Sequence, residues 1–437
     1  MINTPTNIKT IDNKKISKTK INLRKLFVSP YGATIFPIFV LLVAFLLPPT
    51  LYEYYVNEPD YIFLNFPVVF YVSICLFFYY CGIFISNFKL VYKMNLFNKI
   101  KVSPFMYFGI ISFLTIVLQV IFIVVFNLYL RNTFGISLFI VPFTGAGELI
   151  KVYSLELNIP LGLGAIPTFI IGFEFWLLYH LYKLSNTDYN YHKEFKYLKL
   201  SILISVFLFI SENILTVSRP ALIVFVLGWV MIYTYFNKGR LFFRLIKLSL
   251  IIIIIFAITS ILRWSSTRED FLNLILGRLI GYTIAPYNRL ALIIIGRLNY
   301  NLPKLFYLFP IHKIPLTEMV INPSFSELNF LYAYRALASA HLNTSYNMST
   351  LFGSMYESLG IASPIYFAVL GIIGNRLFHS FKGGRTFGVV LYPLFYASVA
   401  LWIVDVNYFI MMFFYFFYAF LFLVIYNIIL KPKDYLK

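Results

Sequence analysis

Charge is scarce in this chain of 437 residues, of which 12% are Asp, Glu, Lys or Arg and 60% are hydrophobic. Soluble domains carry roughly 25% charged residues, so a soluble globular protein is excluded. Cysteine is nearly absent too. Cys75 and Cys81 lie six residues apart in one apolar run, on largely different helical faces, and point to neither a disulfide nor a metal site. The sequence also lacks HExxH, Gly-x-Ser-x-Gly, a Walker loop and CxxC, so no familiar nucleophile or metal motif announces a reaction. Acidic residues are few, 17 against 36 basic ones, leaving a formal charge of +19. In a soluble chain that balance would suggest nucleic acid. Here the bases sit in short flanks of apolar segments, which is an orientation signal of membrane proteins, and no nucleic-acid partner is expected.

What the chain has in abundance is apolar length. Runs able to cross a hydrocarbon core of about 30 Å need about 17 to 25 helical residues. Ten are read, at 33–51, 62–86, 105–130, 161–182, 199–217, 220–236, 246–262, 350–373, 387–404 and 408–430. The expectation is an all-α, polytopic bundle of about ten transmembrane helices. With the N-terminus inside, the cytoplasmic side holds 20 lysines and 5 arginines, the other side 3 lysines and 8 arginines. Lysine-rich flanks therefore place both termini in the cytoplasm. The chain divides into a basic tail (1–32), seven helices (33–262), an external loop (263–349), three helices (350–430) and a short tail (431–437). The first helix is expected to be retained, because the basic stretch before it is too long for a signal peptide's n-region and no small-residue cleavage site follows.

The external arginines are not explained by orientation. Between Arg263 and Thr350 stand Arg263, Arg268, Arg278, Arg289, Arg297 and Arg335 against only Lys304 and Lys313, in a stretch too polar and proline-broken to span a membrane. A guanidinium presents a planar fork that grips phosphate or carboxylate bidentately, which an ammonium cannot do. A phosphate-bearing ligand is one reading. The plainer one is pairing with Glu269, Asp270, Glu318 and Glu327, or contact with lipid headgroups. Arg278 and Arg289 are eleven residues apart and would share a face if 271–297 were one helix, although Pro286 could kink it.

Ionisable groups inside apolar runs are costly, about 2.5 to 3.5 kcal/mol at the centre of a span on the insertion scale, so Glu174 and Glu212 each need a reason. Glu212 lies two turns before Arg219 and could orient it. Glu174 reads as a packed acid paired with another helix. Glu357 opens the eighth run directly after the arginine-rich loop, and His341 precedes it near Arg335. The first external loop carries Glu53, Glu58 and Asp60 and no base.

Two stretches resemble the O-antigen or capsule polymerase (Wzy-type) family of bacterial inner membranes. One is Thr216-Val-Ser-Arg-Pro220 at the turn between the fifth and sixth runs, followed by Ala-Leu-Ile-Val-Phe-Val-Leu. The other is Asn347-Met-Ser-Thr-Leu-Phe-Gly353 with Tyr356-Glu-Ser-Leu-Gly360 and Gly371, where Glu357 stands in place of the aspartate expected. The resemblance implies a GT-C-like glycosyltransferase that joins polyprenyl-pyrophosphate-linked oligosaccharides on the external face. Taken with the charge reading above, the expected diphosphate ligands are Arg219, Arg278, Arg289 and Arg335, with Glu212 supporting Arg219 and Glu357 or His341 facing the acceptor hydroxyl. Tyr332, Tyr334, Tyr346 and Tyr356 could wall the sugars. No metal and no cofactor are expected, and a flippase and a chain-length regulator are the implied protein partners. Two rivals stand beside it: a GT-C enzyme using a polyprenyl-phosphate sugar with an acid of the first loop as base, and a polysaccharide or lipid flippase or transporter.

Overall fold

The computed structural model describes residues 23–58, 64–86, 100–141, 166–187, 192–216, 219–237, 247, 250–251, 254, 271–300, 334–344, 346, 349–403 and 406–432. These are almost wholly helical. In chain order they form α1 (Leu23–Val28), α2 (Pro30–Ala33), α3 (Ile35–Leu46), α4 (Pro49–Val56), α5 (Phe66–Ile85), β1 (Ile100–Val102), α6 (Pro104–Phe134), α7 (Ile166–Ser185), α8 (Lys193–Leu215), α9 (Arg219–Phe236), α10 (Phe271–Thr283), α11 (Ala285–Ile294), α12 (Leu351–Leu359), α13 (Ser363–Lys382), α14 (Thr386–Ala400), α15 (Val406–Ile429) and β2 (Leu430–Pro432).

Polar residues at the edges of apolar runs set several of these boundaries. Asn65 Oδ1 accepts from the Val68 amide at 3.3 Å and Ser103 Oγ from the Met106 amide at 3.2 Å, each with a proline in the first turn. Such caps satisfy amides that the helix leaves unpaired, and proline there gives up no helical hydrogen bond. Thr350 caps α12 in the same way, through Gly353.

Among the described residues four stretches are long and apolar enough to cross a membrane: α5, α6, α8 and Leu351–Lys382. The tandem α3–α4 would be a fifth, but it is bent by 106°. The first expected span, 33–51, is thus broken at Pro48 and Pro49, which cannot continue the helix in front of them. Shorter apolar helices follow at Ala221–Phe236, Thr386–Ala400 and Phe413–Ile429. The run 246–262 falls almost entirely outside the described residues, as does most of the loop 263–349. Large side chains such as Phe70, Phe113 and Phe207 are each 68% exposed, a surface that lipid can cover and water cannot do cheaply.

The long helices α5 and α13 lie side by side and parallel. Tyr71 bonds Ser363 near their starts (2.7 Å), and Asn375 bonds the Ile83 carbonyl near their ends (3.1 Å). Their contact is close because glycines face backbone. A Cβ on Gly371 would stand 2.1 Å from the Tyr79 carbonyl oxygen, and one on Gly82 2.0 Å from that of Ala368. Small residues of this kind let apolar helices pack backbone to backbone.

One end of the bundle is tied by β1 and β2, a parallel pair with Lys101 opposite Lys431. Beside it Asn427 donates to Thr386 Oγ1 at 2.8 Å, and the Tyr179 hydroxyl donates to the Phe381 carbonyl at 3.1 Å. Lys183 in the last turn of α7 and Lys382 in the last turn of α13 belong to this end, as does Lys193 at the start of α8. Residues 23–28, expected as part of a tail, are helical, and the Val28 carbonyl accepts from the buried Tyr392 hydroxyl at 2.6 Å.

Candidate functional site

The opposite end is closed by α4, α10, α11, residues 334–346 and α12. At its centre is a buried ion pair. Asn57 ends α4 in the left-handed region (φ 54°), a conformation asparagine tolerates, and the chain then delivers Glu58 inward. Glu58 Oε1 accepts from Arg289 Nη2 at 2.5 Å, and neither side chain retains any exposed surface. The same oxygen accepts from the Asn343 amide at 3.1 Å, while Oε2 accepts from the Tyr52 hydroxyl at 2.5 Å. Arg289 also donates to the carbonyls of Ala285 and Asn343, each at 3.1 Å. Asn343 Nδ2 reaches the Val56 carbonyl at 2.6 Å, and Asn288 donates to the Tyr52 oxygen at 3.3 Å.

Electrostatics and hydrogen bonding both favour this arrangement. Burial works against the charge of Arg289, but the adjacent Glu58 carboxylate, together with Tyr52 and Tyr300, outweighs it and holds the guanidinium above its ordinary range. Desolvating two ions costs several kcal/mol each, and only good geometry with further hydrogen bonds repays it. Tyr52, Ala285 and Asn343, from three separate parts of the chain, supply those bonds.

Around this centre the other expected site residues are distributed unequally. Arg278 and Arg289 do not share a helix face: α10 ends at Thr283, and Pro286 sits in the first turn of α11. Arg278 lies over the Tyr346 ring, 5.7 Å from its centroid, a cation–π distance. That ring lies flat against α10, where a Cβ on Gly281 would stand 2.1 Å from it, and its hydroxyl donates to the Gly277 carbonyl at 3.1 Å. Arg335 and His341 are both exposed, on a short helix at 334–339 and the turn after it, His341 with φ 57°. Glu357 projects from α12, which Gly360 (φ 58°) ends and a 3-10 turn at Gly360–Ala362 links to α13, so that it opens the stretch Leu351–Lys382. Its Oε1 accepts from the Tyr300 amide at 2.6 Å. Leu292, Ile293, Leu298, Leu337 and Leu342 form one apolar cluster, with Tyr356 against it, that joins these pieces.

Arg289 was expected among the diphosphate ligands. As placed, its guanidinium is fully buried and presents nothing to a ligand from outside. For Glu212 the structure gives a buried carboxyl near the end of α8, with Oε2 lacking a hydrogen-bond partner among the described residues. Arg219 opens α9, and its side chain lies outside the described residues, so the proposed pairing of the two does too. Tyr332 and the acids Glu269, Asp270, Glu318 and Glu327 also fall outside them. Tyr334 is exposed, and Tyr356 meets Tyr71 edge to face at 5.2 Å. Sequence reasoning missed Asn288 and Asn343 altogether. Glu58 carried a signal, as an acid in a first loop without bases facing a late loop rich in arginine.

Neither a family model nor a curated protein nor a solved structure matches the chain. The fold and the composition define a helical membrane protein, and what it does is argued below from its residues.

Proposed function

We propose that this chain is a ten-helix, GT-C-like membrane glycosyltransferase that polymerises polyprenyl-pyrophosphate-linked oligosaccharide repeat units on the external face of a bacterial inner membrane. The observation that carries the proposal is the closed end of the bundle. There arginine-bearing segments from the late loop fold into one unit with Glu357, His341 and several tyrosines, and the Glu58–Arg289 pair holds that unit to α4.

In the proposed reaction a hydroxyl of one lipid-linked repeat attacks the anomeric carbon of the reducing-end sugar of another. The new glycosidic bond forms as the bond to the pyrophosphate oxygen breaks, the hydroxyl proton passes to Glu357 or His341, and polyprenyl pyrophosphate departs. Negative charge grows on the leaving group, so guanidinium groups there stabilise the transition state more than the ground state. Arg219, Arg278 and Arg335 are assigned that part. Arg289 is reassigned to holding the cap. A flippase and a chain-length regulator remain the proposed protein partners.

The rival with a first-loop acid as base is less favoured. Glu58 already accepts from Arg289, Tyr52 and Asn343, and its side chain retains no exposed surface to meet a substrate hydroxyl. The deciding experiment supplies purified protein with defined lipid-linked repeats and chelator. Products lengthened by whole repeats are expected. Transfer of single sugars from a polyprenyl-phosphate donor, or no transfer without added magnesium or manganese, would overturn the reading.

A further inference from the structure

Away from the closed end, a polar seam runs between α6 and α8, with α7 packed against both. Ser112 and Ser201 share a hydrogen bond at 2.7 Å, and further along Gln119 Nε2 donates to the Ser205 carbonyl at 3.2 Å. Both helices are long and apolar enough to span a membrane, so each polar group on their shared face has been kept against a cost. Glu174 of α7 enters this seam. Its Oε1 accepts from the Ser205 hydroxyl, and Glu174, Gln119 and Ser205 are all 0% exposed.

The bonds leave an imbalance. Glu174 Oε2 and Gln119 Oε1 are buried and have no hydrogen-bond partner among the described residues. Both atoms are acceptors, one on a carboxylate and one on an amide, so what is missing is a donor or a positive charge. Among the described residues no cationic side chain supplies it. The described side chains of α9, α14 and α15, which also pack on α7, include no Asp, Glu, Lys, Arg or His. On α6 the one charged residue is Arg131, near the far terminus, and on α8 the charged groups are Lys193, Glu194, Lys196 and Lys199 in the first two turns and Glu212 two turns beyond Ser205. On α7 itself, His180 is six residues on, its ring against Phe108, Trp176 and Tyr179, and Lys183 is in the last turn.

We propose that Glu174, Gln119 and Ser205 form an intramembrane binding site for one monovalent cation, a proton or a sodium ion. Either ion answers the single negative charge. A proton on Glu174 turns Oε2 into a donor, while sodium would take Glu174 Oε2 and Gln119 Oε1 among its oxygen ligands. The line of Ser112, Ser201 and Thr115 toward one end, and of Asn213 and Glu212 toward the other, gives the seam polar footing on both sides of the site. The site does not depend on the polymerase reading.

The substitution Glu174→Gln tests it, because an amide brings its own donor to Gln119 and needs no cation. Purified protein in nanodiscs at neutral pH, in choline buffer, is compared by infrared spectroscopy, and its thermal midpoint is followed as sodium replaces choline. If the ion is a proton, a protonated-carboxyl band is expected that Glu174→Gln abolishes and Glu212→Gln leaves. If it is sodium, a saturable rise in the midpoint is expected that Glu174→Gln abolishes and Glu212→Gln keeps. Wild-type protein with neither a Glu174-dependent band nor a sodium-dependent midpoint overturns the proposal. Should Glu174→Gln fail to accumulate, Gln119→Leu removes the amide oxygen and must shift the band or weaken the sodium response, and no change in either refutes the site.

Discussion

Arg289 shows how one side chain can hold an end of a bundle together. Its acidic partner lies 231 residues earlier in the chain. No local pattern announces a pairing of that span, so its guanidinium reads in the sequence as one of six available to a ligand. Removing one member of a buried pair leaves the other charge uncompensated, at a cost of about 3–5 kcal/mol. Arg289→Met is therefore expected to lower the thermal midpoint sharply, while the double variant Glu58→Gln with Arg289→Met recovers much of the loss. Equal midpoints for the single and double variants would count against an ion-pair role. Arg219 calls for a different substitution. At the opening of α9 its position suits a diphosphate at interface depth, and Arg219→Lys should leave folded protein with polymerisation slowed by at least ~10²-fold, since lysine lacks the bidentate fork. Wild-type rates would return it to an anchor for headgroups. Glu357→Gln separates two roles at one position: lost turnover with acceptor binding kept indicates a base, whereas weakened binding at unchanged turnover indicates positioning.

At the scale of elements, the sequence was most legible where apolar length and helix breakers coincide. The starts of α5 and α6 follow from Asn65 and Ser103 with their prolines, and α9 begins at Arg219 with Pro220 next to it. What periodicity could not show was the division of apparent single helices. Gly360 separates α12 from α13, Pro286 separates α10 from α11, and Pro48 with Pro49 turns α4 away from α3. At Pro48–Pro49 and at Pro286 hydropathy continues across the break while the helix does not, whereas at Gly360 a 3-10 turn carries Leu351–Lys382 on as one stretch. The α5–α13 contact offers a measurable consequence. Gly371→Ala would push a methyl group to 2.1 Å from the Tyr79 carbonyl oxygen, so the helices must separate. Overpacking of this kind costs about 1–3 kcal/mol. A lower thermal midpoint is expected, whereas Gly109→Ala, with open space at its Cβ, should leave it unchanged.

For the whole molecule, the helical membrane character was plain from composition alone. The arrangement of the closed end was not, because it depends on bonds between the first loop, α11 and residues near Asn343. The two ends also differ in chemistry. Lys101, Lys183, Lys193, Lys382 and Lys431 collect at one, and Arg278, Arg289, Arg335 and His341 at the other. A potential set by lysine flanks would orient the first toward the cytoplasm. In a background lacking Cys75 and Cys81, a cysteine at the exposed Ala338 should react with an impermeant maleimide added outside intact spheroplasts, and one at the exposed Lys101 only after lysis. The reverse pattern would invert the topology and remove the external site.

The strand pair at the lysine-rich end also sets a timetable for biosynthesis. Ile100–Val102 is translated just ahead of α6, whereas its partner Leu430–Pro432 follows α15. The edge of β1 therefore stays open while the ten described helices α6 to α15 are made, and it closes only once Leu430–Pro432 has emerged. A polypeptide truncated before Leu430 would carry all fifteen described helices and still expose that edge.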